Sequence, residues 1–273
     1  MKTRLRPAWF AFPIILVVVV IACGTVPITG RTQLDIIPNG TMLGLASQQY
    51  RDFIHSHHLS NDVVATQMVK RVGQNIRHGV EHYLTQHGMG DRLHGYQWEF
   101  NLIESKDVNA WCMPGGKVVV YTGLLKVTRD ESGMAVVLGH EIAHAVANHA
   151  GERMSQELLA EMGGVALAVA LSQKPAETQI LAMAAYGAGA EVGFLLPYSR
   201  LHESEADHLG LIFMAIAGYD PHRAIQLWKD MEKLSHTPDA LNFLSTHPTN
   251  AERVKAIEHF VPEAMRYYQG PKA

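Results

Sequence analysis

Residues 140–144 read HEIAH and have the residue types and spacing of a zinc site. On an α-helix, His140 and His144 project about 40° apart, so both imidazoles can reach one ion. Glu141 lies about 100° round the helix from His140, where it can touch a water on the metal without binding the metal itself. The chemistry that follows is activation of a water by a Lewis acid and removal of its proton by a carboxylate base.

A third ligand is expected in the acidic run 199–207, SRLHESEAD. Glu203 and Asp207 are four residues apart and share a helix face, whereas Glu205 points elsewhere. One of the pair can bind zinc while the other holds a ligand histidine through its second ring nitrogen. An exposed acidic helix is the ordinary alternative, but the apolar run 209–217 continues this helix into a core. His149 is about 140° round the helix from His144, so it is not expected to join the ion.

These side chains need buried helices to hold them. Apolar flanks on both sides of the HEIAH segment predict a buried helix over 130–149, in which adjacent ionisable residues are costly unless a metal and hydrogen bonds satisfy them. Apolar residues at helical spacing predict further helices at 42–57, 61–86, 152–171, 176–194, 198–217, 221–234 and 249–260. Two stretches, 158–171 and 180–196, are rich in Ala and Gly. They favour closely packed helices, with membrane insertion and an amphipathic surface hairpin as alternatives.

A small β-sheet is predicted between the helical regions. Residues 97–103 alternate like a half-buried strand, and the runs 108–113 and 117–121 are joined by Pro-Gly-Gly, which favours a hairpin. The fold class is therefore α+β and predominantly helical.

The N-terminus has the pattern of a lipoprotein signal. Three basic residues precede roughly 15 apolar ones in 1–22, and residues 20–23, VIAC, resemble a lipobox whose Cys23 is lipidated. Gly24 in place of Asp is typical of sorting to the outer membrane. An uncleaved anchor or a plain signal peptide is the alternative. Removing three positive charges changes the formal net charge from −3 to −6.

Composition limits the remaining options. With 47% hydrophobic and 18% charged residues, the 273-residue chain has the balance of one large globular domain, not of a disordered protein. A near-neutral pI of 6.6 gives no support to a nucleic-acid binder, because no basic excess is available to displace counterions. Two cysteines cannot form a disulfide framework, and lipidation of Cys23 leaves Cys112 without an intramolecular partner. The domain boundaries follow: signal peptide 1–22, lipidated terminus and tether 23–41, main domain 42–262 and C-terminal tail 263–273.

HExxH followed some 60 residues later by SRxxExEAD resembles the M48 family of zinc metallopeptidases, which includes Ste24-like and Oma1-like members and a bacterial periplasmic lipoprotein branch. Residues 109–116 (NAWCMPGG) resemble the family segment NAFAxPGG, with Trp111 and Cys112 as departures. Residues 246–253 (THPTNAER) resemble its THPxxxxR segment. The resemblance covers about residues 30–260. It implies a zincin-like metallopeptidase fold with a small sheet packed beside the HExxH helix.

The resemblance also assigns roles to individual residues. It implies one zinc ion per chain with His140, His144 and Glu203 as ligands and Glu141 as the base. It places Asp207 behind the ligands, and it brings His247 and Arg253 to the site to stabilise an oxyanion or the substrate. For the last two residues there is an alternative interpretation, in which residues 248–250 are simply a turn that begins the final helix.

The expected activity is hydrolysis of peptide bonds in misfolded or misassembled cell-envelope proteins, by an endopeptidase tethered to the outer membrane and facing the periplasm. A periplasmic or inner-membrane location is the alternative. An extended peptide is expected to add as a strand beside Val118, Val119 and Val120. The competing hypothesis is a non-catalytic or autoinhibited zinc-containing chaperone, whose site is closed by a fourth ligand such as His247. Neither hypothesis involves nucleic acid.

Overall fold

The computed structural model describes residues 23–234, 237–248 and 251–271; the predicted signal peptide, residues 1–22, lies outside them. The helices are α1 (Asn39–Ser56), α2 (Val63–Gln86), α3 (Leu125–Thr128), α4 (Glu131–Val146), α5 (His149–Leu171), α6 (Ala176–Ala190), α7 (Leu196–Ile216), α8 (Arg223–Lys233), α9 (Pro238–Thr246) and α10 (Ala251–Ala264). A π-helical turn, Glu191–Leu195, joins α6 to α7. The strands are β1 (Cys23–Thr25), β2 (Thr32–Leu34), β3 (Glu99–Ile103), β4 (Ala110–Met113) and β5 (Lys117–Tyr121). The predominantly helical α+β prediction is confirmed.

The main sheet has the strand order β3-β5-β4. β5 pairs parallel with β3 and antiparallel with β4, so the predicted hairpin is present. Its turn places Gly115 and Gly116 at φ 89° and 80°, a left-handed conformation that glycine adopts without a Cβ clash. β4 packs against α4, which sets the small sheet beside the HExxH helix.

Helices α4 and α7 form the centre of the core and carry the residues of the predicted site. They approach closely at Gly139 and Gly210, where a Cβ added to Gly210 would lie 2.8 Å from the backbone nitrogen of His140. The glycine pair therefore allows a backbone-to-backbone approach next to the first motif histidine. This approach sets the distance between the histidines of α4 and the carboxylates of α7.

The N-terminal segment is folded rather than a tether. β1 and β2 form an antiparallel hairpin in which Cys23 is opposite Leu34. Val26 and Gln33 are 1% and 2% exposed, so the hairpin is packed into the protein, and α1 already begins at Asn39. The segment predicted as a tether, 23–41, thus contains a hairpin and the first residues of α1; short polar strands carry no helical periodicity, and their fit against a distant helix cannot be read locally.

The C-terminal region also differs from prediction. α9 was not predicted, and α10 extends to Ala264, which is fully buried. Tyr267 packs its ring at 6.0 Å from Tyr83 of α2. The first residues of the predicted tail 263–273 therefore pack against the core, through Ala264 and Tyr267.

The two Ala- and Gly-rich stretches pack on each other, as predicted. Tyr186 of α6 donates a hydrogen bond to the backbone oxygen of Ala160 in α5. Apolar side chains on the outside of this pair remain exposed, including Met162, Val165 and Leu181. By length and composition alone, α5 and the continuous helix 176–216 are each sufficient to cross a membrane.

Candidate zinc centre

The HExxH helix begins at a polar cap and is buried along almost its whole length. Asp130 accepts a hydrogen bond from the backbone nitrogen of Gly133 at 2.6 Å, which satisfies one of the free N–H groups of the first turn. His140 and Glu141 are only 2% and 3% exposed. Burial of adjacent ionisable side chains in an apolar helix therefore requires partners, and α7 supplies them.

Four side chains converge on one point. His140, His144, Glu203 and His247 each offer a donor atom, and these atoms lie within 4.8 Å of one another. Nε2 of His144 is 3.1 Å from Nε2 of His140 and 3.2 Å from Oε1 of Glu203. Ligand atoms around tetrahedral zinc are roughly 3.3 Å apart, so these spacings fit the ion. Two imidazoles and one carboxylate are also the ligand chemistry of catalytic zinc.

The three acidic residues of the SRLHESEAD run divide as the helix geometry requires. Glu203 faces the donor group, and Asp207, one turn later, contacts Nδ1 of His140 at 3.0 Å. Glu205 points to the other side of α7. The structure thus places Glu203 where a ligand would stand and Asp207 behind a ligand histidine, matching the arrangement that the resemblance implied.

The pKa values of the two motif histidines are shifted in opposite directions, because carboxylates dominate at one and burial at the other. Burial lowers the pKa of His140, but hydrogen bonds with Asp207 and Glu203 outweigh it and raise the pKa to about 9. Burial dominates at His144 and lowers its pKa well below the ordinary value. For Glu203, burial acts to raise the pKa, but hydrogen bonds from the three histidines bring it far below its usual range. The site therefore holds an ionised carboxylate, as a zinc ligand requires.

Glu141 has the environment of a general base. Burial raises the pKa of its carboxyl group, which is partly offset by His247 and His140. Among the described residues its Oε1 has no hydrogen-bond partner, although it is buried; Nε2 of His247 is 3.6 Å away. A carboxylate with a raised pKa and a free oxygen at the donor group is suited to take a proton from water near neutral pH.

His247 and Arg253 both reach the site, but in different ways. Nδ1 of His247 lies 3.2 Å from Nε2 of His140 and 3.0 Å from Oε2 of Glu203, so His247 stands among the donors. Arg253 is buried and binds Asp207 through Nε at 2.8 Å and Nη2 at 2.9 Å.

The guanidinium of Arg253 has further partners. It contacts Glu203 at 3.2 Å, donates to the backbone oxygen of Pro248 and covers the Trp228 ring at 3.5 Å. Arg253 therefore approaches the site, as the resemblance implied, from the side of Glu203 and Asp207, with N–H groups that bind these carboxylates and the Pro248 carbonyl.

A cleft of about 390 Å³ opens beside the donor group. His144 and His247 line one part of it, and Ala110, Trp111 and Cys112 of β4 line another. Cys112 is unpaired among the described residues, and burial raises the pKa of its thiol well above the ordinary value, so it stays protonated.

The predicted substrate-binding residues Val118, Val119 and Val120 are wrong. They form the central strand β5, with partners on both sides, and all three are fully buried. A peptide can add only to the edge of a sheet. The edge strand at the cleft is β4, and strand order within a sheet is not encoded in the local hairpin pattern.

His149 is not among the donors, as expected, but it has a contact with the site that its position in the sequence did not predict. Its Nδ1 lies 2.9 Å from Nδ1 of His144. The angle calculated for one continuous helix does not apply, because α4 ends at Val146 and Asn148 has a left-handed backbone with φ 57°. Asn is one of the few residues that adopts this conformation readily, so the Asn-His pair was an available signal for a helix end.

Fold and site together define a zincin-like metallopeptidase, with the HExxH helix packed between a small sheet and a second helix that supplies carboxylates. The chain belongs to peptidase family M48, whose family model matches residues 72–261. The predicted zinc cofactor is confirmed by this membership and by the His/Glu donor group.

Several relatives support the same placement. The chain is 36% identical to the mitochondrial metalloendopeptidase OMA1 of Schizosaccharomyces pombe over 65% of this chain and 49% of the relative. It is 30% identical to the mitochondrial metalloendopeptidase OMA1 of Bos taurus over 88% of this chain and 46% of the relative. It is 25% identical to the beta-barrel assembly-enhancing protease of Escherichia coli over 84% of this chain and 46% of the relative. The chain thus spans about half the length of these curated relatives.

Proposed function

We propose that the protein is a zinc-dependent endopeptidase. The observation that carries this proposal is the position of Glu141: its side chain is buried, its Oε1 has no hydrogen-bond partner among the described residues, and that atom lies 3.6 Å from Nε2 of the donor residue His247. A purely structural zinc site has no use for a base in that position. The relatives named as metalloendopeptidases and as a protease support the same activity.

The residues divide the work of peptide hydrolysis. Zinc, when bound by His140, His144 and Glu203, supplies Lewis acidity that acidifies water and polarises the scissile carbonyl. Glu141 accepts the proton of the attacking water and passes it to the leaving amine nitrogen. His247 donates a hydrogen bond to the carbonyl oxygen as negative charge develops on it.

The substrate we propose is an extended polypeptide that pairs with β4. An edge strand recognises backbone N–H and C=O groups, which are available in unfolded or misassembled proteins and are already paired in folded ones. The name of the Escherichia coli relative, a beta-barrel assembly-enhancing protease, supports envelope proteins as the substrate class.

Anchoring of Cys23 in the outer membrane, facing the periplasm, is part of the same proposal. It rests on the lipobox-like segment that precedes Cys23. Cells fed labelled palmitate should label the wild-type protein and the Cys112→Ala variant equally, and the Cys23→Ala variant not at all. Equal labelling of Cys23→Ala would remove the lipid anchor from the account.

A second functional state is favoured by the position of His247. Because its Nδ1 stands among the other three donors, His247 can complete a closed four-ligand site. If His247 closes the site, His247→Ala should raise peptidase activity. If it only stabilises the oxyanion, the same variant should lower activity, and the closed state would be rejected.

The activity itself is tested with the purified full chain and unfolded casein. Cleavage should stop when a zinc chelator is added and should return when zinc is restored. A protein that contains one zinc ion per chain and leaves casein, and a panel of unfolded envelope proteins, intact would instead support the binding or chaperone function.

A further inference from the structure

A second cluster of buried charges lies on the far side of His144. Arg31, from the β1–β2 hairpin, bridges Glu205 of α7 and Glu152 of α5. Its Nε and Nη2 lie 2.9 and 2.8 Å from Oε2 of Glu205, and its Nη1 and Nη2 lie 2.8 and 2.7 Å from Glu152. Thr29 of the same hairpin also donates to Glu205. The hairpin is therefore attached to the two helices that flank the zinc motif.

Two histidines extend the cluster. Nε2 of His149 is 3.1 Å from Oε2 of Glu205, and Nε2 of His202 is 2.9 Å from Oε2 of Glu152. The two rings stack at 4.4 Å, and both residues are 1% exposed. They differ in one respect: His149 contacts the zinc ligand His144, whereas His202 has no hydrogen bond with His144.

The hydrogen bonds have one consistent direction when His144 binds metal. Its Nε2 faces the donor group, so its proton must be on Nδ1, which is 2.9 Å from Nδ1 of His149. His149 Nδ1 then accepts that proton's hydrogen bond. The remaining proton of a neutral His149 is on Nε2 and is donated to Glu205.

We propose that His149, Glu205 and Arg31 position the zinc ligand His144, so that the N-terminal hairpin is a structural part of the zinc site. The inference rests on the proposed zinc centre but not on its peptidase activity. Partners that fix the tautomer and ring orientation of a ligand histidine typically change metal affinity 10- to 100-fold when removed.

Two matched variants of the full chain test the proposal. His149→Phe and His202→Phe each keep a buried stacked ring and each remove one imidazole-to-glutamate hydrogen bond. His149→Phe should weaken zinc binding at least about 10-fold in competition with a chromophoric chelator. It should also shift the visible absorption of the Co²⁺-substituted protein, because the ring of His144 turns. His202→Phe should keep wild-type affinity within about twofold and leave the Co²⁺ spectrum unchanged.

A second pair of variants, with more conservative substitutions, tests the proposal if His149→Phe does not fold. Glu205→Gln keeps the shape of the side chain and should lower zinc affinity and alter the Co²⁺ spectrum, whereas Glu152→Gln should do neither. Arg31→Met should act in the same direction as Glu205→Gln. Wild-type metal affinity and spectrum in both His149→Phe and Glu205→Gln, or equal effects in the His202 and Glu152 controls, would overturn the proposal. A wild-type protein that binds zinc but cleaves nothing would refute the peptidase function and leave this result intact.

Discussion

The two motif histidines are held from opposite ends of the chain. The C-terminal arm runs from Nδ1 of His140 to Asp207 and on to Arg253 of α10. The N-terminal arm runs from Nδ1 of His144 through His149 and Glu205 to Arg31 of the β1–β2 hairpin. Both arms end on an arginine. In the C-terminal arm a carboxylate contacts the ligand histidine directly, whereas in the N-terminal arm the imidazole of His149 lies between the ligand histidine and the carboxylate.

This difference separates the two ligands electrostatically. Burial lowers the pKa of both histidines, but hydrogen bonds with Asp207 and Glu203 outweigh it at His140 and raise the pKa to about 9, whereas at His144 burial outweighs the hydrogen bond with Glu203 and the pKa falls well below its ordinary value. A direct carboxylate makes the ligand more basic and fixes it strongly. The longer N-terminal arm fixes the orientation of His144 with less charge, and it depends on a short hairpin instead of the helical core.

The largest effect is expected where both arms meet. Glu203 contacts both histidines, so Glu203→Ala should reduce bound zinc from one ion per chain to nearly none, measured by elemental analysis after dialysis. The exposed Glu157→Ala is the control and should retain the full zinc content. Full zinc occupancy in Glu203→Ala would mean that the third ligand is misassigned.

The next prediction compares how much each arm contributes to the unfolding free energy. Asp207→Asn leaves the buried Arg253 with a weakened charge partner, and breaking such a pair costs about 3 kcal/mol of unfolding free energy. Glu205→Gln should cost less, because the side chain of Arg31 is 18% exposed against 8% for Arg253, so water compensates more of the lost charge partner. Urea unfolding of both variants measures the comparison. A larger loss in Glu205→Gln would reverse the order proposed for the two arms.

A smaller loss of stability is expected from a substitution that disturbs both arms together. Gly210→Ala puts a methyl group against the backbone of α4 and should cost about 1–3 kcal/mol while shifting the carboxylates of α7. Gly187→Ala in α6, where an added Cβ meets nothing within 4 Å, should instead stabilise by about 0.5–1 kcal/mol. Thermal unfolding tests the pair, and a neutral Gly210→Ala would show that the two helices need no close approach.

A further effect is a pH dependence of the stability of the N-terminal arm. Burial lowers the pKa of His149 from 6.5 to about 4. Between those values the unfolded chain binds a proton that the folded chain does not, so stability falls as the pH is lowered from 6.5 to 4. The carboxyls of Glu152 and Glu205, with pKa values of about 2, add a further loss below pH 4.5.

Thermal unfolding of the metal-free protein measures this slope. His149→Phe removes one of the titrating groups, so its Tm should change less than that of the wild type between pH 6.5 and 4. Identical slopes would show that His149 does not carry the acid sensitivity of this arm.

The C-terminal arm was accessible from the sequence, because its key residues follow local rules. His140 and His144 are one turn apart on a helix, Glu203 and Asp207 are one turn apart on another, and the resemblance pairs the two segments. The N-terminal arm was not accessible. Arg31 lies more than 120 residues from either glutamate it binds, and the contact of His149 with His144 depends on a left-handed residue that breaks the helix.

The fold was likewise predictable where local patterns determine it, and not where distant segments pair. Helix periods and the Pro-Gly-Gly turn identified most elements of the core. The order of strands that placed β5 inside the sheet, and the packing of the β1–β2 hairpin, depend on pairings between distant segments that no local pattern encodes.

The most direct test of the central claim is made on Glu141. The Glu141→Gln variant keeps the shape of the side chain and removes only the base, so it should bind one zinc ion per chain like the wild type. Its rate of casein cleavage should fall at least about 100-fold. A variant that holds zinc and cleaves casein at the wild-type rate would contradict the account.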